Sequence, residues 1–198
     1  GPYYLGPMHP MCANPDARLP EVFYGQYLFQ AEIKDSEGLK KQPTFITSPT
    51  GNVPLWGRAY LRMKKELALA ANDIRAADPL VDARHRLTFD AEANPILWFY
   101  HTARTHSNFY ESCQLRDAVL AIVNQPSISA ADRANATEKL KRWKDVLTDE
   151  LANTREAAPL LQHDMRLDPY YGGDHTFSHG ERMIEAKEMI LQLEISQY

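Results

Sequence analysis

Cysteine is scarce: Cys12 and Cys113 are the two in 198 residues, too few for a disulfide scaffold. One pair neither demands an oxidising compartment nor excludes one, and the plain reading is two thiols. Long apolar runs are missing too. No stretch approaches the roughly 18 consecutive apolar residues of a membrane-spanning helix, and no basic-then-apolar leader opens the chain. Excess positive charge is absent: 22 Lys and Arg stand against 26 Asp and Glu, for a net charge of -4 and a pI near 6.0. That balance argues against a dedicated binder of nucleic acid or of an anionic membrane surface. Gly1-Pro2, with no initiator Met, reads as a processed start or an excised piece and leaves the compartment open.

Motifs for the commoner cofactor and nucleophile chemistries are also lacking. There is no P-loop, no dinucleotide G-x-G-x-x-G and no G-x-S-x-G, and Gly172-Gly173 reads as a turn rather than a phosphate cradle. Cys113 lies seven residues beyond His106 on one helix, about two turns away, which is too far for hydrogen-bonded activation of a thiol. His101 and His106 are five apart, roughly 140° around a helix axis, so they do not converge. No Glu stands three residues before either, which removes the di-iron bundle pattern. The residues call for no cofactor.

What is present divides unevenly. Apolar residues make up 44% and aromatics 10%, enough for a real core in one domain. Eight of 13 prolines and five of nine glycines fall at or before Pro54, so residues 1–53 read as an extended Pro- and Gly-rich arm in which regular structure stays short. Its aromatics, among them Tyr3, Tyr4, Phe23, Tyr24 and Tyr27, are too many for a solvated tether, and the arm is expected to pack along the helices. Residues 54–198 read as an all-α, antiparallel bundle of about four helices.

Apolar Trp56, Tyr60, Met63, Leu67, Ala70 and Ile74 step by three and four along the first helix. Pro54 suits its first turn and Asp78-Pro79 ends it. A second helix, rich in aromatics and the most buried, is expected over 95–124. Ser129 and Asp132 form an N-terminal cap for a third, which carries Leu140, Trp143, Leu147, Leu151, Thr154, Ala158 and Leu161 and should bend or divide at Pro159. Ser178 and Glu181 match a capping box ahead of a fourth, with Met183, Ala186, Ile190 and Leu193 as its stripe. Lys139, Lys141, Arg142 and Lys144 read as a solvated face laced by Glu138 and Asp145.

Possible ligand chemistry is densest between the third and fourth helices, from His163 to His179, where Arg166, Tyr170, Tyr171, Asp174 and His175 crowd one connection. Sugar rings stack on aromatic faces while carboxylate and imidazole groups take their hydroxyls, so these five residues are the candidate ligand-binding set. Packing of the loop, with Arg166 pairing an acid, is the competing reading. Asp174, His175 and His179 have zinc-binding chemistry, but His179 opens the helix that His175 precedes and no H-E-x-x-H is present, so no metal site is assigned.

The segment from Leu160 to Lys187, with Asp164-Met-Arg-Leu167, then Gly172, then Phe177-Ser178 and a helix carrying Lys187, resembles the helical region that follows the catalytic barrel in large glycoside hydrolases of the α-glucuronidase-like and hexosaminidase-like kind. Asn52-Val-Pro-Leu-Trp56 ahead of a long helix is similar as well. In such enzymes the catalytic carboxylates belong to the barrel, which at about 250 residues does not fit in this chain beside the helices. The resemblance therefore implies a non-catalytic accessory domain that buttresses a catalytic domain, in a larger chain or a partner subunit, or lines a glycan-binding cleft. It transfers no catalytic residue. The alternative is a helical protein–protein interaction module that binds no glycan.

Overall fold

Past the Pro- and Gly-rich first quarter of the sequence, the chain is built of long helices. In the computed structural model, which describes residues 7–8, 53–167 and 180–198, four α-helices follow one another: α1 (Val53–Ala77), α2 (Arg86–Val123), α3 (Ala130–His163) and α4 (Gly180–Ile195). Among the described residues there is no strand, and the fold is the all-α bundle the periodicity predicts. Pro54 lies in the first turn of α1, and Asp78-Pro79 turns the chain through a 3₁₀ segment, Asp78–Leu80. Ser129 caps α3: its Oγ accepts from the Asp132 N–H at 3.1 Å, and the Asp132 carboxylate accepts from the Ser129 N–H at 3.1 Å. The Ser178 cap falls outside the described residues.

Cross-helix contacts fix the direction of each helix. Tyr60 of α1 stacks on His106 and Tyr110 of α2, with centroids 4.7 and 5.6 Å apart, while Arg75 lies over the Tyr100 ring. Arg142 reaches Glu111 at 2.7 Å near the start of α3, and His101 meets Asn153 at 2.8 Å further along. Lys187 meets Glu150, and Trp143 meets Tyr198. Each neighbouring pair is antiparallel. Gly57 permits a close crossing, since a Cβ there would sit 2.6 Å from the Gln114 amide and 3.4 Å from Tyr110 Cβ.

Among the described residues, two apolar clusters fill the interior. One joins Tyr60, Phe109, Tyr110, Cys113, Trp143, Leu147 and Leu191 from all four helices; the other joins Trp98, Ala157, Leu161, Met183, Ile184 and Ile190 with Met8 of the N-terminal segment. Helix α2 is buried on every side from His101 to Tyr110, as its aromatic content predicts.

Three expectations need correction. Helix α2 starts at Arg86 rather than Pro95, which sits inside it. A proline leaves the carbonyl four residues back without its helical donor, and Arg166 Nη2 donates to that carbonyl, Ala91 O, at 3.0 Å. Helix α3 likewise runs through Pro159 without dividing. Finally, the buried faces are rotated from the purely apolar stripes. Helix α1 packs chiefly on α2, so Tyr60 and Ala71 are buried while Trp56 and Met63 stay 38% and 37% exposed. On α4, Leu193 is 62% exposed, whereas Lys187 and Glu194 are buried with Met183 and Leu191.

Candidate functional site

Buried polar residues join α2, α3 and α4 at mid-bundle. Glu150 and Lys187 are both 0% exposed and pair directly. The Glu150 carboxylate also accepts from Thr105 Oγ1 at 2.7 Å and Asn108 Nδ2 at 2.9 Å. Asn153 Nδ2 donates to Thr105 Oγ1 and to the His101 carbonyl, and its Oδ1 accepts from His101 Nδ1. His106 Nδ1 donates to the Thr102 carbonyl. Burial pushes both imidazoles below their ordinary range and lowers Lys187, against the pull of Glu150.

At the rim of this network, Asp149 accepts from Arg104 and Asn108 at 2.8 Å and Lys64 at 3.3 Å. Although burial works against its charge, those donors hold its carboxyl well below the usual range. Glu150, Thr105, Asn108 and Asn153 are committed to one another. The chemistry of the network is that of a structural lock, and it makes His101 a core residue tied to Asn153.

A second polar cluster is open to solvent. Continuing the antiparallel register of α2 on α3, Pro95 and Pro159 fall at the same level, where each helix lacks one backbone donor. Beside them lies a groove of about 590 Å³. Leu87, Asp90, Ala91 and Asn94 of α2 line one side, and Pro159, Leu160, His163, Asp164 and Arg166 the other. Arg166 sits in the 3₁₀ turn Met165–Leu167. Its Nε donates to Asp164 Oδ1 at 2.8 Å and its Nη2 to Asp164 Oδ2 at 2.5 Å. Bonds from Arg166 hold the Asp164 carboxyl down to about 2, with Asn94 adding to them and burial opposing. His163 Nδ1 donates to the Pro159 carbonyl at 2.6 Å, and Asp90 is held by Arg86 at 3.4 Å.

This groove offers donors on Arg166, acceptors on Asp90 and on the free ring nitrogen of His163, and aliphatic walls. Such a set suits a small polyhydroxylated or carboxylated ligand. Of the five sequence-assigned ligand residues, Arg166 lines the groove and pairs with an acid. Tyr170, Tyr171, Asp174 and His175 lie outside the described residues. Reading Pro95 as a helix start hides Asp90 and Asn94; Leu87, Ala91 and Asn94, four and three apart, carry the helical signal upstream. Among the described residues no group of three or more His, Cys, Asp or Glu is placed to hold a metal ion, and no helix is long and apolar enough to cross a membrane. Comparison of the chain with protein-family models, curated proteins and solved structures found no match.

Proposed function

We propose that this chain is a non-catalytic helical module of a carbohydrate-processing, glycoside hydrolase-like protein, contacting glycan at the groove between α2 and α3. The observation that carries this reading is the convergence of Asp90, His163 and Arg166 on one open groove, immediately before Tyr170-Tyr171 in the chain. The groove supplies hydrogen-bonding groups but only aliphatic walls, so the stacking faces of a sugar site fall to the two tyrosines. Its partner is a catalytic domain, in a larger chain or a second subunit.

Calorimetric titration with a panel of neutral and acidic oligosaccharides tests this. Binding by the parent chain, weakened about tenfold or more by His163→Ala, Tyr171→Ala and His175→Ala, supports it. Affinity unchanged in all three removes the contact.

A second reading, a protein–protein interaction module without glycan binding, is favoured by the outer surface of α1. Leu55, Trp56, Leu61, Met63 and Leu69 are all exposed there, more large apolar side chains than one solvated helix needs. Loss of a co-purifying or crosslinked partner in a Trp56→Ser, Met63→Ser chain, with no glycan bound by the parent, selects it.

A further inference from the structure

Lys187 is wholly buried, and one of its two acceptors lies outside the four helices. Its Nζ donates to Glu150 and, at 2.7 Å, to the backbone carbonyl of Pro7. Met8 is 0% exposed within the cluster of Trp98 from α2, Ala157 and Leu161 from α3, and Met183, Ile184 and Ile190 from α4. Forty-four residues then separate Met8 from Val53, where α1 begins.

The chemistry of this seat is that of peptide recognition. A lysine ammonium has three donors and no acceptor, so a buried one selects for a carbonyl and is indifferent to the side chain that accompanies it. Pro7 has no N–H and brings no orphan donor into the core with its carbonyl. Met8 is unbranched and polarizable, and so fills the irregular gap between Trp98, Leu161, Met183 and the branched Ile184 and Ile190. Among the described residues, one hydrogen bond, from Lys187, and the packing of the Met8 side chain hold this segment to the helices.

We propose that the space between α2, α3 and α4 is a peptide-docking socket, in which Lys187 reads a backbone carbonyl and the wall of Met183, Ile184 and Ile190 reads the unbranched apolar side chain that follows. The chain's own Pro7-Met8 fills it as a detachable latch, and the partner that fits it in trans is a linear peptide of the same Pro-Met type. This socket is separate from the α2–α3 groove and does not rest on the glycan reading.

Two measurements on the full chain decide it. In the first, Met8→Asp ejects the latch, and a labelled peptide of residues 1–10 is titrated into this variant and into the parent. The variant binds about tenfold tighter than the parent, whose socket is filled, and adding Lys187→Met abolishes that binding. A cooperatively melting Met8→Asp chain that ignores the peptide, or binds it equally after Lys187→Met, overturns the proposal. The second keeps the parent sequence and so stands even where Met8→Asp fails to fold. Initial rates of peroxide oxidation are followed residue by residue by mass spectrometry. Met8 and Met183 are equally buried, so a latch that leaves without opening the helices makes Met8 react about tenfold or more faster. Equal rates overturn it.

Discussion

One heptad separates Thr105 from Ser112 on α2, Glu150 from Trp143 on α3, and Lys187 from Glu194 on α4. Because neighbouring helices are antiparallel, all three steps lead toward the same end of the bundle, about 10 Å along. In the first layer a hydroxyl and an ammonium both donate to one carboxylate. In the second, Ser112 Oγ, Trp143 Nε1 and both Glu194 carboxyl oxygens are buried, and among the described residues they have no hydrogen-bond partner. Burial there pushes the Glu194 carboxyl up to about 7, whereas Asp149, at the edge of the first layer, is held low by its donors. Two carboxyls of one bundle are thus shifted in opposite directions, one by burial and the other by its donors. What stabilises a buried charge is its immediate neighbours: the first layer has them, while Trp143 of the second belongs to the apolar cluster of Leu147, Leu191 and Phe109 and burial alone shifts Glu194.

The sharpest way to break the contrast is to give the first layer the poverty of the second. Lys187→Met leaves the Glu150 carboxylate without its counter-charge, and loss of one partner of a buried pair costs about 3–5 kcal/mol. Replacing both, as Glu150→Leu with Lys187→Met, removes two desolvation penalties together and should be less damaging than Lys187→Met alone. Urea unfolding of the two singles and the double gives the coupling directly. Additive losses would mean the pair does not act as a unit.

The converse is to remove charge from the second layer. Glu194 protonates near 7 in the folded chain against 4.5 for the free side chain, so the folded state holds the proton more tightly. Its contribution to stability is fully present below about 4.5 and is lost as pH rises through about 7. Glu194→Met escapes that loss, and should match the parent near pH 4 but exceed it by roughly 2–3 kcal/mol at pH 8. Thermal melts across that window check the sign. A gain that does not grow with pH contradicts the uncompensated carboxyl.

These layers also mark where the sequence could be read and where it could not. Ser129 and Asp132 are legible as a cap because capping is local chemistry. Tyr60, Leu147 and Leu161 are legible because apolar residues at helical spacing seek the core. Lys187 and Glu194 escaped, although they fall at three- and four-residue steps with Met183 and Leu191, because periodicity read from apolar residues alone discards a charged residue in the stripe. Whether a buried charge is tolerated depends on Thr105 and Glu150, far away in the chain. Pro95 misled for the same reason: the donor that compensates it, Arg166, lies 71 residues downstream. Arg166 itself was picked for the company it keeps in sequence, and its place in the groove follows from that fold-back.

The smallest effect sharpens the comparison most, because it sets two hydroxyls one heptad apart on the same helix. Thr105 Oγ1 donates to Glu150 and accepts from Asn153. Thr105→Val keeps the shape and deletes both bonds, leaving a buried carboxylate and a buried amide each short of a partner, at a cost of about 1–2 kcal/mol. Ser112 is equally buried, but its hydroxyl satisfies nothing among the described residues. Ser112→Ala therefore discards a desolvated group and is expected to leave stability unchanged or raise it by up to about 1 kcal/mol. The two variants should move the melting midpoint in different directions or by clearly different amounts. A matching loss in both would show that Ser112 has a partner in solution and that the two layers are alike.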